Sequence, residues 1–193
     1  MRVADWAVVI PVKGTPSAKS RLGGGPELAL AIALDTVEAA SGAARVIVVT
    51  SADVAPVFSA LGALVVEDSG VSLNAAVLEG LAAAGRGPTA VLLGDLPALR
   101  PEDLADALML ASEHPLAMVP DADAEGTTLI TVLRTKHHAP AFGVGSRMAH
   151  LAAGYVELPV MVTSGLRRDV DTAEQLAALG NRVGKRTGAA LGG

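Results

Sequence analysis

The sequence predicts an α/β fold, with three α/β/α layers around a mostly parallel central sheet. Three observations carry this. Short β-branched runs alternate with longer helical patterns along the chain. The links between them are short, which suits strand–helix–strand units. The early runs are apolar throughout rather than alternating, as expected of strands covered on both faces. The 193 residues fit one domain over 1–180, with no internal repeat and no linker.

Each element follows in order. Residues 7–12 read as a buried first strand. Pro26 sits at a helix N1 position and opens a helix over 27–40. That helix is apolar almost all round, interrupted by Asp35 and Glu38, and Gly42 supplies its stop. A second strand follows at 45–50, then a short helix within 51–62 with Asp53 as N-cap. A third strand at 63–66 runs into an acidic turn. Ser72 caps a helix over 73–84, with Asn74 in its first turn, where an amide can face a ligand at the sheet edge. The fourth strand, 89–94, ends on Asp95. Pro101 opens the next helix, and Glu102 and Asp103 suit its positive end. Strands follow at 116–120 and 127–133, with irregular chain at 136–141. A glycine loop at 142–147 enters a helix at 148–153, and a strand follows at 155–158. Thr172 and Gln175 form a capping box for a last helix at 173–179. The Gly-, Lys- and Arg-rich stretch 181–193 reads as a disordered tail.

Composition excludes several function classes. Hydrophobic residues make up 51% and aromatics 2%, so the core is built from Ala, Val, Leu and Ile. Mean hydropathy is +0.46, yet no run approaches the ~20 apolar residues of a membrane span. The N-terminal stretch lacks a basic segment and does not read as a signal peptide. Zero cysteines remove disulfides and thiolate metal sites and suit a cytoplasmic protein. A net charge of −5 and the lack of an aromatic stacking platform argue against nucleic-acid partners. The apolar helix 27–40 leaves monomer and homodimer both open.

The chain is organised around residues 8–22. An apolar run stops at Pro11 and Val12, and a loop follows with Lys13, Gly14, Lys19 and Arg21 plus the hydroxyls of Thr15, Ser17 and Ser20. A buried strand feeding a flexible cationic loop at a sheet edge can hold phosphates through backbone N–H and ammonium groups. The bland alternative is a polar surface loop with incidental lysines. Asp95 ends an apolar strand beside that loop and suits Mg²⁺, which takes carboxylates and substrate phosphates. Its alternative is a helix N-cap, although Pro97 and Pro101 place the helix start later. Asp169 and Asp171, two apart, share a face in extended chain and suit metal ligation, unless Asp171 or Thr172 only caps the last helix. Thr127, Thr128, Gly143, Gly145, Ser146 and Arg147 form a second polar set for a small carboxylate or phosphate. His114, His137, His138 and His150 show no zinc spacing and read as surface residues. In α/β sheets ligands bind at the carboxyl ends of strands.

Gly14 to Ser20 approaches a P-loop, but its second glycine is Ala18 and Pro16 removes an N–H from the cradle. A P-loop phosphotransferase is therefore a minor reading, and no dinucleotide glycine motif is present.

Four blocks in order carry a resemblance. They are Ile10-Pro11-Val12-Lys13-Gly14 with Ala18-Lys19-Ser20-Arg21-Leu22, then Gly94-Asp95-Leu96-Pro97-Ala98-Leu99. Phe142-Gly143 with Ser146 and His150 is the third, and Gly165-Leu166-Arg167-Arg168-Asp169-Val170-Asp171-Thr172 the fourth. Over roughly 7–180 the chain resembles the phosphoenolpyruvate / 2-phospho-L-lactate guanylyltransferases of coenzyme F-420 biosynthesis. Those belong to the wider group that includes molybdenum-cofactor guanylyltransferases. The latter open on a Leu-Ala-Gly-Gly type of loop, where this chain has Pro-Val-Lys-Gly. The resemblance implies a nucleotide-diphospho-sugar-transferase-like, Rossmann-like fold and Mg²⁺-dependent transfer of GMP from GTP, with pyrophosphate release. It implies metal at Asp95, Asp169 and Asp171, and nucleotide at Pro11, Val12, Lys13, Gly14, Lys19, Asn74 and Asp95. Lys13, Lys19, Arg21 and Asp95 would act in catalysis. Thr128 (or Thr127), Gly143 and Ser146 would take the phospho-acid. The Ala-, Arg- and Gly-rich composition looks like that of a high-GC bacterium, and since bacterial members of the family tend towards phosphoenolpyruvate, the resemblance implies that acceptor, with 2-phospho-L-lactate as the alternative. A downstream transferase would take the product. A GTP-binding sensor without catalysis is the reading from another class.

Overall fold

The computed structural model describes residues 2–13, 22, 24–133 and 138–192. Its strands are β1 (Ala7–Pro11), β2 (Arg45–Thr50), β3 (Leu64–Glu67), β4 (Thr89–Leu92), β5 (Leu116–Pro120), β6 (Thr127–Val132) and β7 (Val156–Glu157). They form one sheet in the order β3-β2-β1-β4-β6-β5-β7. The described helices are α1 (Gly25–Ser41), α2 (Ala55–Ser59), α3 (Leu73–Ala84), α4 (Pro101–Ala111), α5 (Ser146–Ala152), α6 (Ala173–Leu179) and α7 (Lys185–Gly192).

The sheet is mostly parallel, as the sequence predicts. β1 pairs in parallel with β2 and β4, β2 with β3, and β5 with β7. β6 alone is reversed, running antiparallel to both β4 and β5. The start of β6 therefore lies at the same sheet edge as the carboxyl ends of β1, β4 and β5. That edge carries Pro11, Asp95, Asp121 and Thr127.

Period-two alternation sorts the core onto the two faces. Val8 and Ile10 pack with Ala33 and Val37 of α1 and Leu104 and Leu108 of α4. Val9 turns the other way, to Ile47, Val49 and α3's Ala76 and Val77. With few aromatics, close approach replaces bulk. A Cβ on Gly80 would lie 2.3 Å from Val9 Cγ1 and 2.7 Å from Val49 Cγ2, so the glycine lets α3 settle onto the strands.

Local capping chemistry sets several boundaries. The Ser72 hydroxyl accepts the Ala75 N–H at 3.1 Å and starts α3. Thr172 and Gln175 make the expected reciprocal box on α6. Asp53 does not cap α2, whose N-cap is Val54; its carboxylate takes the Ser51 hydroxyl instead. The expectation of a disordered tail is corrected over 181–192, where a 3-10 turn leads into α7 against α1. The cause is long-range. Buried Asp35 accepts the Arg186 N–H at 3.1 Å and the Thr187 N–H at 2.7 Å, capping α7 from the side of α1. Gly184 makes room, since a Cβ there would fall 2.4 Å from the Asp35 carboxyl carbon. No described helix is long and apolar enough to cross a membrane.

Candidate active site

The candidate site begins where β1 leaves the sheet. Pro11 and Val12 are buried and Lys13 is exposed. The Val12 N–H is anchored on the Val49 carbonyl at 2.8 Å. β4 ends beside it, with Gly94 at the junction. A Cβ on Gly94 would stand 3.1 Å from the Pro11 carbonyl oxygen, so glycine lets the two exits abut. Asp95 follows, half-buried. It is not a helix cap, because α4 starts at Pro101 with Arg100 as N-cap. Gly14, Thr15, Ser17, Lys19, Ser20 and Arg21 lie outside the described residues.

The third carboxylate segment is tied to the second. The Val170 N–H donates to the Asp95 carbonyl at 3.1 Å, which draws Asp169-Val170-Asp171 alongside Asp95. Val170 is buried, Asp169 half-buried and Asp171 exposed. Since Thr172 makes the α6 cap, Asp171 is not needed there. Burial pushes the Asp169 carboxyl up to about 7, and the charges of Asp95, Asp121 and Asp171 push the same way. Sequence reasoning missed Asp121, at the carboxyl end of β5. Its carboxylate accepts the Glu125 N–H at 3.0 Å and the Gly126 N–H at 2.6 Å, closing the turn into β6. Its carbonyl takes Arg167 Nε at 3.1 Å and Nη2 at 2.7 Å. The signal that could have found it is a carboxylate ending an apolar run, the pattern that marks Asp95.

Among the described residues, no three His, Asp or Glu side chains are grouped closely enough to hold a metal unaided. The donor set still fits a hard divalent cation. The Asp169 carboxyl, which resists ionisation, would gain from a positive charge beside it, and magnesium completes its sphere with water and phosphate oxygens.

The second polar set lies at the same edge. Thr127 and Thr128 open β6 with both side chains buried. The Thr127 hydroxyl is 3.0 Å from His150 Nδ1, and the Thr128 hydroxyl donates to the Val119 carbonyl at 3.4 Å. Both hydroxyls are thus engaged inside the protein. Gly143, Val144 and Gly145 form an exposed turn ahead of buried Ser146, with φ of +133° at Gly143 and +72° at Gly145. Among the described residues, the N–H groups of this turn donate to no protein acceptor. Consecutive N–H groups in such a turn suit an anion. Arg147 is occupied elsewhere, with Nε 2.8 Å from Glu157.

Asn74 reaches across to this turn. Its Oδ1 accepts the Phe142 N–H at 3.1 Å and its Nδ2 donates to the Phe142 carbonyl at 3.4 Å. Two histidines correct the surface reading. His150 is fully buried, and His138 bonds the Thr89 hydroxyl at 3.0 Å. Burial lowers both to about 4, so each is neutral at pH 7. His150 Nε2 accepts the Ala141 N–H at 3.1 Å, which puts the ring proton on Nδ1, facing Thr127.

A model of the family described as "Guanylyl transferase CofC like" matches residues 6–180. The phosphoenolpyruvate guanylyltransferase of Streptomyces coelicolor is 47% identical over 96% of this chain and 95% of its own length. That of Geodermatophilus obscurus is 44% identical over 99% and 96%. Among solved structures, a candidate nucleotide-diphospho-sugar transferase from Desulfovibrio desulfuricans superposes with a TM-score of 0.73 at 19% identity, covering 99% of this chain and 94% of that one. A manganese complex from Mycobacterium tuberculosis gives 0.60 at 22% identity, covering 91% and 97%.

Proposed function

We propose that this chain, which belongs to the CofC-like guanylyl transferase family, transfers GMP from GTP to phosphoenolpyruvate in the cytoplasm. Enolpyruvyl-diphospho-guanosine and pyrophosphate are the products, and the step belongs to coenzyme F-420 biosynthesis. The observation that carries the reading is the convergence of Asp95 and Asp169 beside the Pro11–Lys13 exit, where burial first and the neighbouring carboxylates next resist the ionisation of Asp169. The curated relatives' names supply the acceptor.

The chemistry is one displacement. An oxygen of the acceptor phosphate forms a bond to the α-phosphorus of GTP, and the α–β bridging bond breaks. Pyrophosphate leaves with that electron pair. The nucleophile is already anionic at neutral pH, so no general base is required. Lys13, with Lys19 and Arg21, offsets the repulsion between the two anions and grips the departing phosphates. Pro11, Val12 and Gly14 supply backbone for the nucleotide, and Asn74 stands at the same edge. Asp95, Asp169 and Asp171 would hold magnesium, which supplies charge neutralisation along the phosphates when bound. The Gly143–Ser146 turn takes the acid group of the acceptor through its N–H groups, with Thr128, or Thr127, as the floor. In-line positioning across one sheet edge does the rest.

Pyrophosphate release with GTP and Mg²⁺ tests this, run against phosphoenolpyruvate, 2-phospho-L-lactate and no acceptor. Release that needs phosphoenolpyruvate is expected, and Asp95→Asn should lower it at least a hundredfold. Full turnover by Asp95→Asn would sink the assignment. A preference for 2-phospho-L-lactate would transfer the same mechanism to the other acid. GTP binding with no release under any acceptor would leave a nucleotide sensor.

A further inference from the structure

Aromatic residues are scarce in this chain, with one Trp, one Tyr and two Phe, yet several rings gather at one place. Phe142 meets His150 edge-on at 5.2 Å between centroids, and His150 meets Tyr155 edge-on at 5.3 Å. His138 lies over Tyr155 at 6.5 Å. These rings do more than fill space. Three of their neighbours' backbone N–H groups are received by side chains from separate elements. The Ala139 N–H goes to the Tyr155 hydroxyl at 3.0 Å, Ala141 to His150 Nε2 at 3.1 Å, and Phe142 to Asn74 Oδ1 at 3.1 Å. Asn74 stands on α3, His150 on α5, and Tyr155 just before β7. The segment so fastened leads directly into the Gly143–Gly145 turn, whose own N–H groups meet no protein acceptor among the described residues.

We propose that Asn74, His150 and Tyr155 are positioning residues that hold segment 139–142 so that the glycine turn stays shaped for the acceptor's acid group. This rests on the reaction proposed above and deepens it, since it assigns Asn74 to the acceptor side of the site. The physical reason is entropy. A turn with two positive-φ glycines has many alternative shapes, and an anion-binding turn must present its N–H groups in one of them. Fastening the residues just before the turn removes most alternatives before the substrate arrives. His150 adds a second tie: its Nδ1–H meets Thr127, so one ring joins segment 139–142, α5 and the start of β6. Among the described residues the segment pairs with no strand, so these side chains replace a ladder.

The test uses the full-length protein. Hydrogen exchange of amides 139–142 is measured without ligand, and steady-state kinetics are measured for both substrates. Asn74→Leu and His150→Leu should speed exchange at Ala141 and Phe142 at least tenfold. They should raise KM for the phospho-acid about tenfold while KM for GTP and kcat move less than twofold. His150→Gln places an amide oxygen near the former Nε2 and should recover most of the loss. Because His150→Leu could unfold the core, Tyr155→Phe provides a milder arm that keeps the ring and deletes the hydroxyl shared by the Ala139 N–H and His138 Nδ1. Faster exchange with an unchanged acceptor KM overturns the positioning role alone. So does a rise in KM for GTP that matches the rise for the acid, or exchange that none of the variants alters. A wild-type protein that binds GTP but releases no pyrophosphate with any phospho-acid overturns the reaction, and the positioning role with it.

Discussion

If Asp169 holds a divalent ion as proposed, its proton should set how tightly that ion binds. The carboxyl moves from an ordinary 3.8 to about 7, first because it is half-buried and then because Asp95, Asp121 and Asp171 surround it. With that value, roughly 90% of the group carries a proton at pH 6 and roughly 10% at pH 8. A divalent ion has to displace that proton, so its affinity should fall about tenfold for each pH unit below 7 and level off above it. The shift of about three units corresponds to roughly 4 kcal/mol at most, and solvent screening at a half-buried group leaves roughly 1–3 kcal/mol. In the metal-free protein the sign is unfavourable. The folded state binds more protons than the unfolded state between pH 4 and 7, so stability is full below pH 4 and is lost as pH rises through 7, leaving the penalty at high pH. Asp169→Asn should therefore stabilise the metal-free protein at pH 8 by about 1–3 kcal/mol while removing metal binding. Calorimetric Mg²⁺ or Mn²⁺ titrations at pH 5.5, 6.5, 7.5 and 8.5, in buffers of differing ionisation enthalpy, read affinity and proton release together. Close to one proton should leave per ion at the acid end and almost none at pH 8.5. Constant affinity across the series with no proton released would refute the reasoning.

Other perturbations test the scaffold. His138 and His150 both fall to about 4, so below 6.5 the unfolded chain binds protons that the folded one refuses. Their stabilisation is full above pH 6.5 and declines toward pH 4, by up to about 3 kcal/mol each; urea unfolding at pH 7 and 4.5 measures it, and His150→Gln should flatten the slope. Asp35→Ala removes the cap of α7 and should cost about 1–2 kcal/mol, with protease sensitivity appearing first at the C-terminal helix. Gly80→Ala drives a methyl into Val9 and Val49 and should lower stability by about 1–3 kcal/mol without changing substrate preference. A neutral result in a thermal melt would mean that α3 can lift from the sheet at no cost.

What the sequence disclosed depended on how local the cause was. Ser72, Thr172 with Gln175, and Pro101 announce helix starts through groups within four residues, and the structure puts α3, α6 and α4 where those signals lie. β2 and β5 could be bounded because their β-branched or apolar runs end abruptly. Strand direction leaves no such mark, because a reversed strand buried on both faces has the same apolar pattern as its neighbours. The reversal of β6 was therefore not legible, nor was the arrival of Asp121 beside Asp169. Asp35 looked like an interruption in an apolar helix; its purpose is supplied by α7, some 150 residues later. His138 and His150 were misread because spacing tests for zinc say nothing of a neutral ring used as a hydrogen-bonding bracket. Ser146 and His150, four apart on one face of α5 and both buried, were the available hint. Asp95 stood out in the sequence as a charge ending an apolar run, while the Val170–Asp95 backbone tie that brings Asp169 beside it left no local mark.

The reversed strand also shapes how a protein of this kind can diversify. β6 is locked in register against β4 on one side and β5 on the other, so neither its length nor its alignment can drift without breaking two ladders. The turn that Asp121 closes and the segment that Asn74 and His150 fasten carry no such constraint. Residues can be gained or lost in the 121–126 turn or the 138–145 stretch while every ladder pairing survives. On the proposed reading, new acceptor preferences would arise by remodelling those two segments over an unaltered sheet.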